Sequence, residues 1–218
     1  MSTVRTSDQD HARPVNRHIG WSFIAISAIA IGLYAVPPYL TFSPQDSRIP
    51  LNQLFASHLP WLFLHALPSG IALLIGPFQF LPAIRNRWPK AHRQLGRLYL
   101  LCVLAGSCAA ISATVMTTAG FHAQVGFGLL VICWLFSGWQ AYRAARQGRF
   151  RDHRVWMIRN YALTFAAVLL RVYLLAGIGL MQFVPSISFD ELYVATIWGS
   201  IATSVLVADW FIVTRTER

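Results

Sequence analysis

The chain has 218 residues, 56% of them hydrophobic and only 12% charged, and its formal net charge at pH 7 is +10. This composition is too apolar and too poor in charge for an ordinary soluble domain. The positive mean hydropathy of +0.49 comes from apolar residues that lie in long blocks, so a soluble globular protein is excluded.

Six apolar blocks follow one another, each close to the ~20 residues that an α-helix needs to cross a ~30 Å hydrocarbon core. The first block lacks a small-residue cleavage site after it and has a long polar lead, which favours an uncleaved helix over a signal peptide. We predict an all-α membrane protein with six transmembrane helices, in which spans two to five form a central four-helix bundle. The spans make one domain over residues 19–214, after a disordered leader at residues 1–18. The blocks are about Gly20–Val36, Trp61–Leu81, Gly96–Met116, Gly126–Tyr142, Tyr161–Leu180 and Tyr193–Val213.

The basic residues predict the orientation of these spans. Of the 18 lysines and arginines, all but Arg48 and Arg171 lie in segments that six crossings place on one side of the membrane. The positive-inside rule makes that side cytoplasmic, so both termini are expected to be cytoplasmic. The net charge is therefore a topology signal. It argues against nucleic acid as a partner and favours the lipid bilayer and its anionic headgroups.

The longest loop, "PPYLTFSPQDSRIPLNQLF", joins the first two spans on the outer side and is rich in proline. We expect it to fold over the outer end of the bundle. For His11, His18 and His58 we expect interfacial packing and hydrogen bonding rather than a ligand role.

A weak internal repeat links spans two and three to spans four and five. The third span is introduced by "HRQLGRLY" and the fifth by "HRVWMIRNY", so each runs from His-Arg to Arg-x-Tyr. Two parallel hairpins could thus be related by an axis along the membrane normal. The alternative is that any cytoplasmic start of a span collects arginines and aromatic residues.

Three segments of the chain resemble a bacterial family of predicted integral-membrane proteins, domain of unknown function 2306. They are "GPFQFLPAIRNR", "HRQLGRLY" and "HRVWMIRNYALTFAAVLLR". The resemblance covers about residues 60–180. It implies the same multi-pass fold and a bacterial cytoplasmic membrane as the location, and it supplies no activity.

Four histidines form the first candidate site. His65 and His122 lie near the outer ends of spans two and four, and His92 and His153 lie near the inner starts of spans three and five. Neutral imidazole is the usual axial ligand of b-type haem, and helical bundles hold such ligands on facing helices. This plan is similar to that of the diheme transmembrane cytochromes b. It predicts haem b at an outer and an inner pair, with a quinone or another redox partner. Small residues are expected beside the macrocycle, at Gly70, Gly76, Gly106, Gly126 and Gly128.

Arg171, inside the fifth span, is the second candidate. It lies about twelve residues, or roughly 18 Å, from the cytoplasmic boundary, too deep to reach the headgroups easily. Two interpretations stay open. Arg171 is a polar staple to the Leu64 carbonyl, which Pro68 leaves without a helical donor, or it binds an anion such as a haem propionate, a quinone oxygen or a substrate carboxylate. Its expected companions are Tyr173 and Thr164.

An inner basic cluster is the third feature, and its expected roles are anchoring and binding of anionic lipid headgroups. We expect Asp209 to form a salt bridge with Arg97 or Arg159. The cluster consists of Arg93, Arg97, Arg154 and Arg159.

Three functions follow from these candidates. The first is transmembrane electron transfer by haem b, which would make the protein a membrane cytochrome-type oxidoreductase. The second is a carrier or sensor of a small anionic or amphiphilic molecule that uses Arg171 and His65. The third is a non-catalytic membrane subunit. The sequence has no phosphate-binding glycine loop and no HExxH, CxxC or GxSxG motif.

Overall fold

The computed structural model describes residues 13–214, with side chains from residue 19 onward except that of Phe211. Within this range it is all-helical, and six segments are long and apolar enough to cross a membrane, which confirms the predicted fold class. Most of the expected leader lies outside the described residues, and the first helix begins at Arg13. The helices are α1 Arg13–Ala35, α2 Pro37–Leu40, α3 His58–Gln79, α4 Pro82–Arg87, α5 Pro89–Met116, α6 Phe121–Arg146, α7 Phe150–Met181 and α8 Phe189–Leu206.

Several helices are longer than the apolar blocks that predicted them. Helix α5 begins at Pro89 rather than near Gly96, and α7 begins at Phe150 rather than near Tyr161. Hydropathy detects only the part of a helix that lies in hydrocarbon, whereas the backbone stays helical through the basic interface. His92 and His153 therefore lie within the first turns of long helices.

The ends of these helices use residues suited to them. Gly120 and Gly148 have φ values of +83° and +71°, a left-handed conformation that glycine adopts without a steric cost. They separate α5 from α6 and α6 from α7. Helix α8 begins with a capping box between Ser188 and Glu191, which satisfies free N–H groups of its first turn. It continues into a π-helical segment, Val207–Val213.

The packing of the helices places spans two to five at the centre. Helices α3, α5, α6 and α7 form a closed ring of neighbours, since α3 contacts α5, α5 contacts α6, α6 contacts α7 and α7 contacts α3. Helix α1 packs on α3 and α7, and α8 packs on α7 and α6. The predicted central four-helix bundle is thus confirmed.

The outward surface of the bundle is apolar. Large side chains point away from the core on each long helix, which would be anomalous for a soluble monomer and is expected where the solvent is lipid. The protein is therefore a multi-pass membrane protein. Examples of these exposed residues are Phe23, Leu101, Ile132, Leu175 and Leu206.

A close contact joins α3 to α7 through a glycine and a proline. Pro77 has no N–H, so the carbonyl of Leu73, one turn earlier, has no helical donor. The Tyr161 hydroxyl donates to that carbonyl at 3.2 Å. A Cβ on Gly76 would lie only 2.1 Å from the Tyr161 ring, so glycine is what allows the ring to lie against α3.

The loop between α2 and α3 covers one end of the bundle, the outer end by the predicted topology. Ile49 packs on a cluster that includes Tyr39 and Leu62, and the Asn52 amide group donates to the Met116 carbonyl at 3.0 Å. His58 is 1% exposed, and its Nδ1 accepts from the Asn52 N–H at 2.9 Å. The predicted packing of the loop over one end of the bundle, and the predicted packing and hydrogen bonding of His58, are confirmed. His11 lies outside the described residues, as does the side chain of His18.

Candidate functional site

A cavity of about 250 Å³ lies beneath the loop and α2, in the half of the bundle that is outer by the predicted topology. Its volume is just below the range of typical small-molecule sites. Most of its wall is apolar, with Leu62, Leu73, Val131, Leu170 and Ile197 among the lining residues. The polar side chains that interrupt this wall are those of Tyr39, His65, Ser69, Thr114, Thr117, Trp134, Thr164, Arg171, Tyr193 and Ser200.

Arg171 brings a positive charge to this cavity. Among the described residues its guanidinium makes one hydrogen bond, from Nη1 to the Ala167 carbonyl of its own helix, at 2.7 Å. The expected staple to the Leu64 carbonyl is therefore wrong, because that bond stays within α7 and does not cross to α3. A guanidinium has five N–H donors, so four are left over. Tyr39 and Tyr193 are within electrostatic range, and no carboxylate of the described residues forms an ion pair with Arg171.

Of the two expected companions of Arg171, Thr164 lies at the cavity and Tyr173 does not. Thr164 lines the same cavity, although its hydroxyl is engaged in hydrogen bonds. Tyr173 is not among the lining residues, and its hydroxyl donates to the Thr203 hydroxyl of α8 at 2.9 Å. The tyrosines that share the cavity with Arg171 are Tyr39 and Tyr193, and sequence reasoning missed both.

His65 and Arg171 line the same cavity, and these are the two residues that the carrier or sensor hypothesis uses. Its Nδ1 lies 2.9 Å from the Gly106 carbonyl of α5 and 3.3 Å from the Ser69 hydroxyl. A carbonyl can only accept, so Nδ1 carries the proton and a neutral ring keeps its lone pair on Nε2. The contact fixes the ring between α3 and α5.

The other three histidines lie elsewhere. His122 is exposed in the first turn of α6, beside the Phe121 ring, and does not line the cavity. His153 donates from Nδ1 to the Ala141 carbonyl of α6 at 2.9 Å. His92 has a buried Nδ1 without a partner among the described residues and is within electrostatic range of His153. The structure thus brings His92 near His153, and His65 near Arg171.

The glycines expected beside a macrocycle are mostly covered by neighbouring side chains. A Cβ would lie 2.3 Å from Val36 at Gly70, 2.6 Å from the Ser69 hydroxyl at Gly106, and 2.9 Å from Ile197 at Gly126. Only Gly128 of the five faces open space. These glycines serve close packing of helices and side chains.

A hydrogen-bonded network closes the inner side of the cavity and was not predicted. The Tyr99 hydroxyl donates to Asn160 Oδ1 at 2.7 Å and lies 2.8 Å from the Thr164 hydroxyl. Trp134 Nε1 donates to that same Thr164 oxygen at 2.8 Å. Asn160 Nδ2 donates to the Trp134 carbonyl at 2.7 Å and to the Ser137 hydroxyl at 2.9 Å. The network connects α5, α6 and α7 in the bundle core, where Asn160 and Tyr99 are 0% exposed.

The signal for this network was present in the sequence. Asn160 stands at the start of the apolar part of the fifth span, and a polar amide in a transmembrane helix usually faces another helix and bonds to it. Tyr99 and Tyr161 are the matched tyrosines of the internal repeat, and their ring centroids lie 6.5 Å apart. The internal repeat showed that the two tyrosines occupy equivalent positions, but it did not show that their rings lie close together.

The predicted salt bridge of Asp209 is confirmed for one of its two expected partners. Arg159 Nε donates to Asp209 Oδ1 at 2.7 Å. The Arg159 guanidinium also lies over the Trp156 ring, with its carbon 4.8 Å from the ring centroid. This ion pair lies toward the inner end of the bundle, on the other side of the polar network from the cavity.

Comparison with protein families gives a match over most of the chain. A family model described as "Predicted membrane protein (DUF2306)" matches residues 62–212. The match begins within α3 and extends through α8 into the π-helical segment, further than the resemblance over residues 60–180. No curated protein and no solved structure matches the chain.

Proposed function

The chain belongs to the DUF2306 family of predicted membrane proteins, and we propose that it binds a small anionic amphiphile in the cavity between His65 and Arg171, as a carrier or a sensor. The observation that carries the proposal is the environment of Arg171. Its guanidinium faces a largely apolar cavity with four N–H donors that no described residue accepts. The location we propose is a bacterial cytoplasmic membrane.

The charge of Arg171 decides the class of ligand. A cation in a transmembrane segment is costly unless a partner offsets it, and the described partners are one backbone carbonyl and nearby phenols. A bound carboxylate would supply the missing negative charge through charge-assisted hydrogen bonds. Tyr39 and Tyr193 line the same cavity, and in this proposal their hydroxyls donate to the same anion.

The rest of the wall decides the other half of the ligand. Apart from its polar positions the cavity is lined by apolar side chains, most of them aliphatic, from all six long helices. Such a wall accommodates a short hydrocarbon chain by the hydrophobic effect. A carboxylate with an alkyl tail therefore fits both the charge and the apolar surface.

The test compares octanoate with octanol in equilibrium dialysis, using protein in nanodiscs and empty nanodiscs for subtraction. We expect saturable binding of about one octanoate per protein, and weaker binding of octanol. Arg171→Gln should weaken octanoate binding by about 10- to 100-fold, since a hydrogen bond to a charged group contributes about 1.5–3 kcal/mol.

Arg143→Gln is the matched control, because it removes the same charge from an exposed position of α6. We expect it to bind octanoate like the wild type. Equal binding of octanoate by Arg171→Gln and the wild type, or equal binding of octanol and octanoate, would contradict the proposal.

Haem b is our second proposal, with His65 and His122 as the outer ligands and His92 and His153 as the inner ones. The outer pair fits less well than the inner pair, because His122 is exposed and does not line the cavity that holds His65. The support for haem b is the hydrogen bonding of His65 and His153. Each donates Nδ1–H to a main-chain carbonyl of a neighbouring helix. A hydrogen bond of this kind orients the imidazole of a metal ligand and leaves Nε2 free for the metal. A quinone or another redox partner would then exchange electrons with the protein.

Absorption spectra of the purified protein, oxidised and then reduced with dithionite, test this second proposal. Cells supplied with a haem precursor should give a Soret band that sharpens on reduction, together with an α band. His65→Ala should remove part of this absorption. A featureless spectrum overturns haem binding and leaves the anion site unaffected.

A further inference from the structure

A second cavity lies on the lipid-facing side of the bundle, between α6, α7 and the π-helical segment. It is a surface crevice of about 290 Å³ that contains the Arg159–Asp209 ion pair. Phe136, Trp156 and Val205 are among the apolar residues that line it. The polar network separates it from the Arg171 cavity, since Ser137 lines the crevice while Trp134 and Thr164 line the cavity.

The ion pair in this crevice is only partly covered by protein. The Arg159 side chain is 32% exposed and the Asp209 side chain is 45% exposed. Arg154, which is exposed near the start of α7, lies five residues earlier, so Arg159 is about 7.5 Å nearer the centre of the membrane. By the predicted topology this depth is the cytoplasmic boundary of the membrane, where lipid headgroups meet the hydrocarbon. A partly exposed charge there is within reach of a polar partner from the lipid.

The free atoms of the pair point to the chemistry of that partner. One contact, from Arg159 Nε to Asp209 Oδ1, joins the two groups, so the terminal nitrogens of the guanidinium and Asp209 Oδ2 have no hydrogen-bond partner among the described residues. The guanidinium is suited to a phosphate, and the carboxylate is suited to a primary ammonium. A zwitterion that carries both charges matches the pair better than an anion alone.

The position of Asp209 adds an independent observation. It lies in the π-helical segment Val207–Val213, and Thr214 N–H donates to the Asp209 carbonyl. π-helical backbone is rare, and single π-helical turns inside α-helices occur frequently at functional sites.

We propose that this crevice binds the headgroup of phosphatidylethanolamine, with its phosphate on Arg159, its ammonium on Asp209 and an acyl chain along the apolar wall. The occupant comes from the inner leaflet, so the site is separate from the amphiphile cavity and does not rest on its proposed function. The sequence analysis expected anionic headgroups at Arg159. The carboxylate of Asp209 changes that expectation, because it repels a headgroup with net negative charge.

The test uses the protein in nanodiscs that contain equal amounts of phosphatidylethanolamine, phosphatidylcholine and phosphatidylglycerol with the same acyl chains. After gentle release, native mass spectrometry counts the lipids that stay bound. We expect phosphatidylethanolamine to be enriched several-fold over the other two on the wild-type protein. Phosphatidylcholine should be disfavoured because its quaternary ammonium cannot donate a hydrogen bond to Asp209.

Asp209→Asn should abolish the preference for ethanolamine over choline, and Arg159→Gln should lower the retention of all three lipids. Asp152→Asn is the matched control, since it breaks the exposed Arg149–Asp152 ion pair on the same side of the bundle, and it should retain the wild-type preference. The wild-type enrichment needs no variant, so the experiment remains decisive if a variant fails to fold. Bound lipids in bulk proportion on the wild type, or an unchanged preference in a folded Asp209→Asn, would overturn the proposal.

Discussion

Asn160→Leu is expected to destabilise the protein by about 2–4 kcal/mol. Interhelical hydrogen bonds in membrane proteins contribute about 0.6 kcal/mol on average and up to about 1.7, and Asn160 makes three such bonds, to Tyr99, Trp134 and Ser137. The substitution also leaves the Tyr99 hydroxyl with fewer partners in a fully buried position, which adds a desolvation cost. The free energy of unfolding in mixed micelles, titrated with sodium dodecyl sulfate, measures the effect.

Asn86→Leu serves as the control, because Asn86 is exposed in α4 and its loss should change stability by less than about 0.5 kcal/mol. A double-mutant cycle sharpens the result. Tyr99→Phe should cost less in the Asn160→Leu background than alone, since the two side chains share a hydrogen bond. Additive effects of the two substitutions would show that the network does not act as a unit.

Gly76→Ala is expected to destabilise the protein by about 1–3 kcal/mol, although alanine is the better helix former by about 1 kcal/mol. The new Cβ would lie 2.1 Å from Cε2 and 2.3 Å from Cδ2 of Tyr161, far inside contact distance, so the ring must move. Overpacking of this kind costs about 1–3 kcal/mol. Movement of the ring also breaks the bond from Tyr161 to the Leu73 carbonyl, which Pro77 leaves without a helical donor.

Gly128→Ala is the matched substitution in α6, where a Cβ meets nothing within 4 Å. We expect it to leave stability unchanged or to raise it by up to about 1 kcal/mol. In the same unfolding titration, Gly76→Ala should therefore lower the free energy of unfolding and Gly128→Ala should not. Equal effects at both positions would mean that the contact between Gly76 and Tyr161 does not constrain the bundle.

The Asn160 substitution also bears on the proposed functions. Asn160 and its partners lie between the Arg171 cavity and the lipid-facing crevice, so loss of the network should loosen the wall that both share. Arg171→Gln, in contrast, removes one hydrogen bond within α7 and should leave the fold intact. Loss of octanoate binding without loss of stability therefore separates a ligand site from a structural role for Arg171.

The sequence by itself determined the number of spans, the helical class and the central bundle. Hydrocarbon requires every backbone polar group to be satisfied within the segment, so long apolar blocks can only be helices. The depth of Arg171 followed from the rise per helical residue. The salt bridge of Asp209 was predicted because Asp209 lay at a depth compatible with the inner basic cluster, with Arg97 and Arg159 as the candidate partners.

What only the tertiary structure decided is which polar side chains meet. Helix rotation and tilt are set by packing between helices rather than by hydropathy, so position along the chain could not show that Arg171 faces His65, Tyr39 and Tyr193. The freed carbonyl illustrates the limit. The rule that proline frees a carbonyl was correct, but it was applied to Leu64 and Arg171, whereas the bond that forms joins Leu73 to Tyr161. Gly76 decides that outcome, because the Tyr161 ring reaches α3 only where no Cβ blocks it.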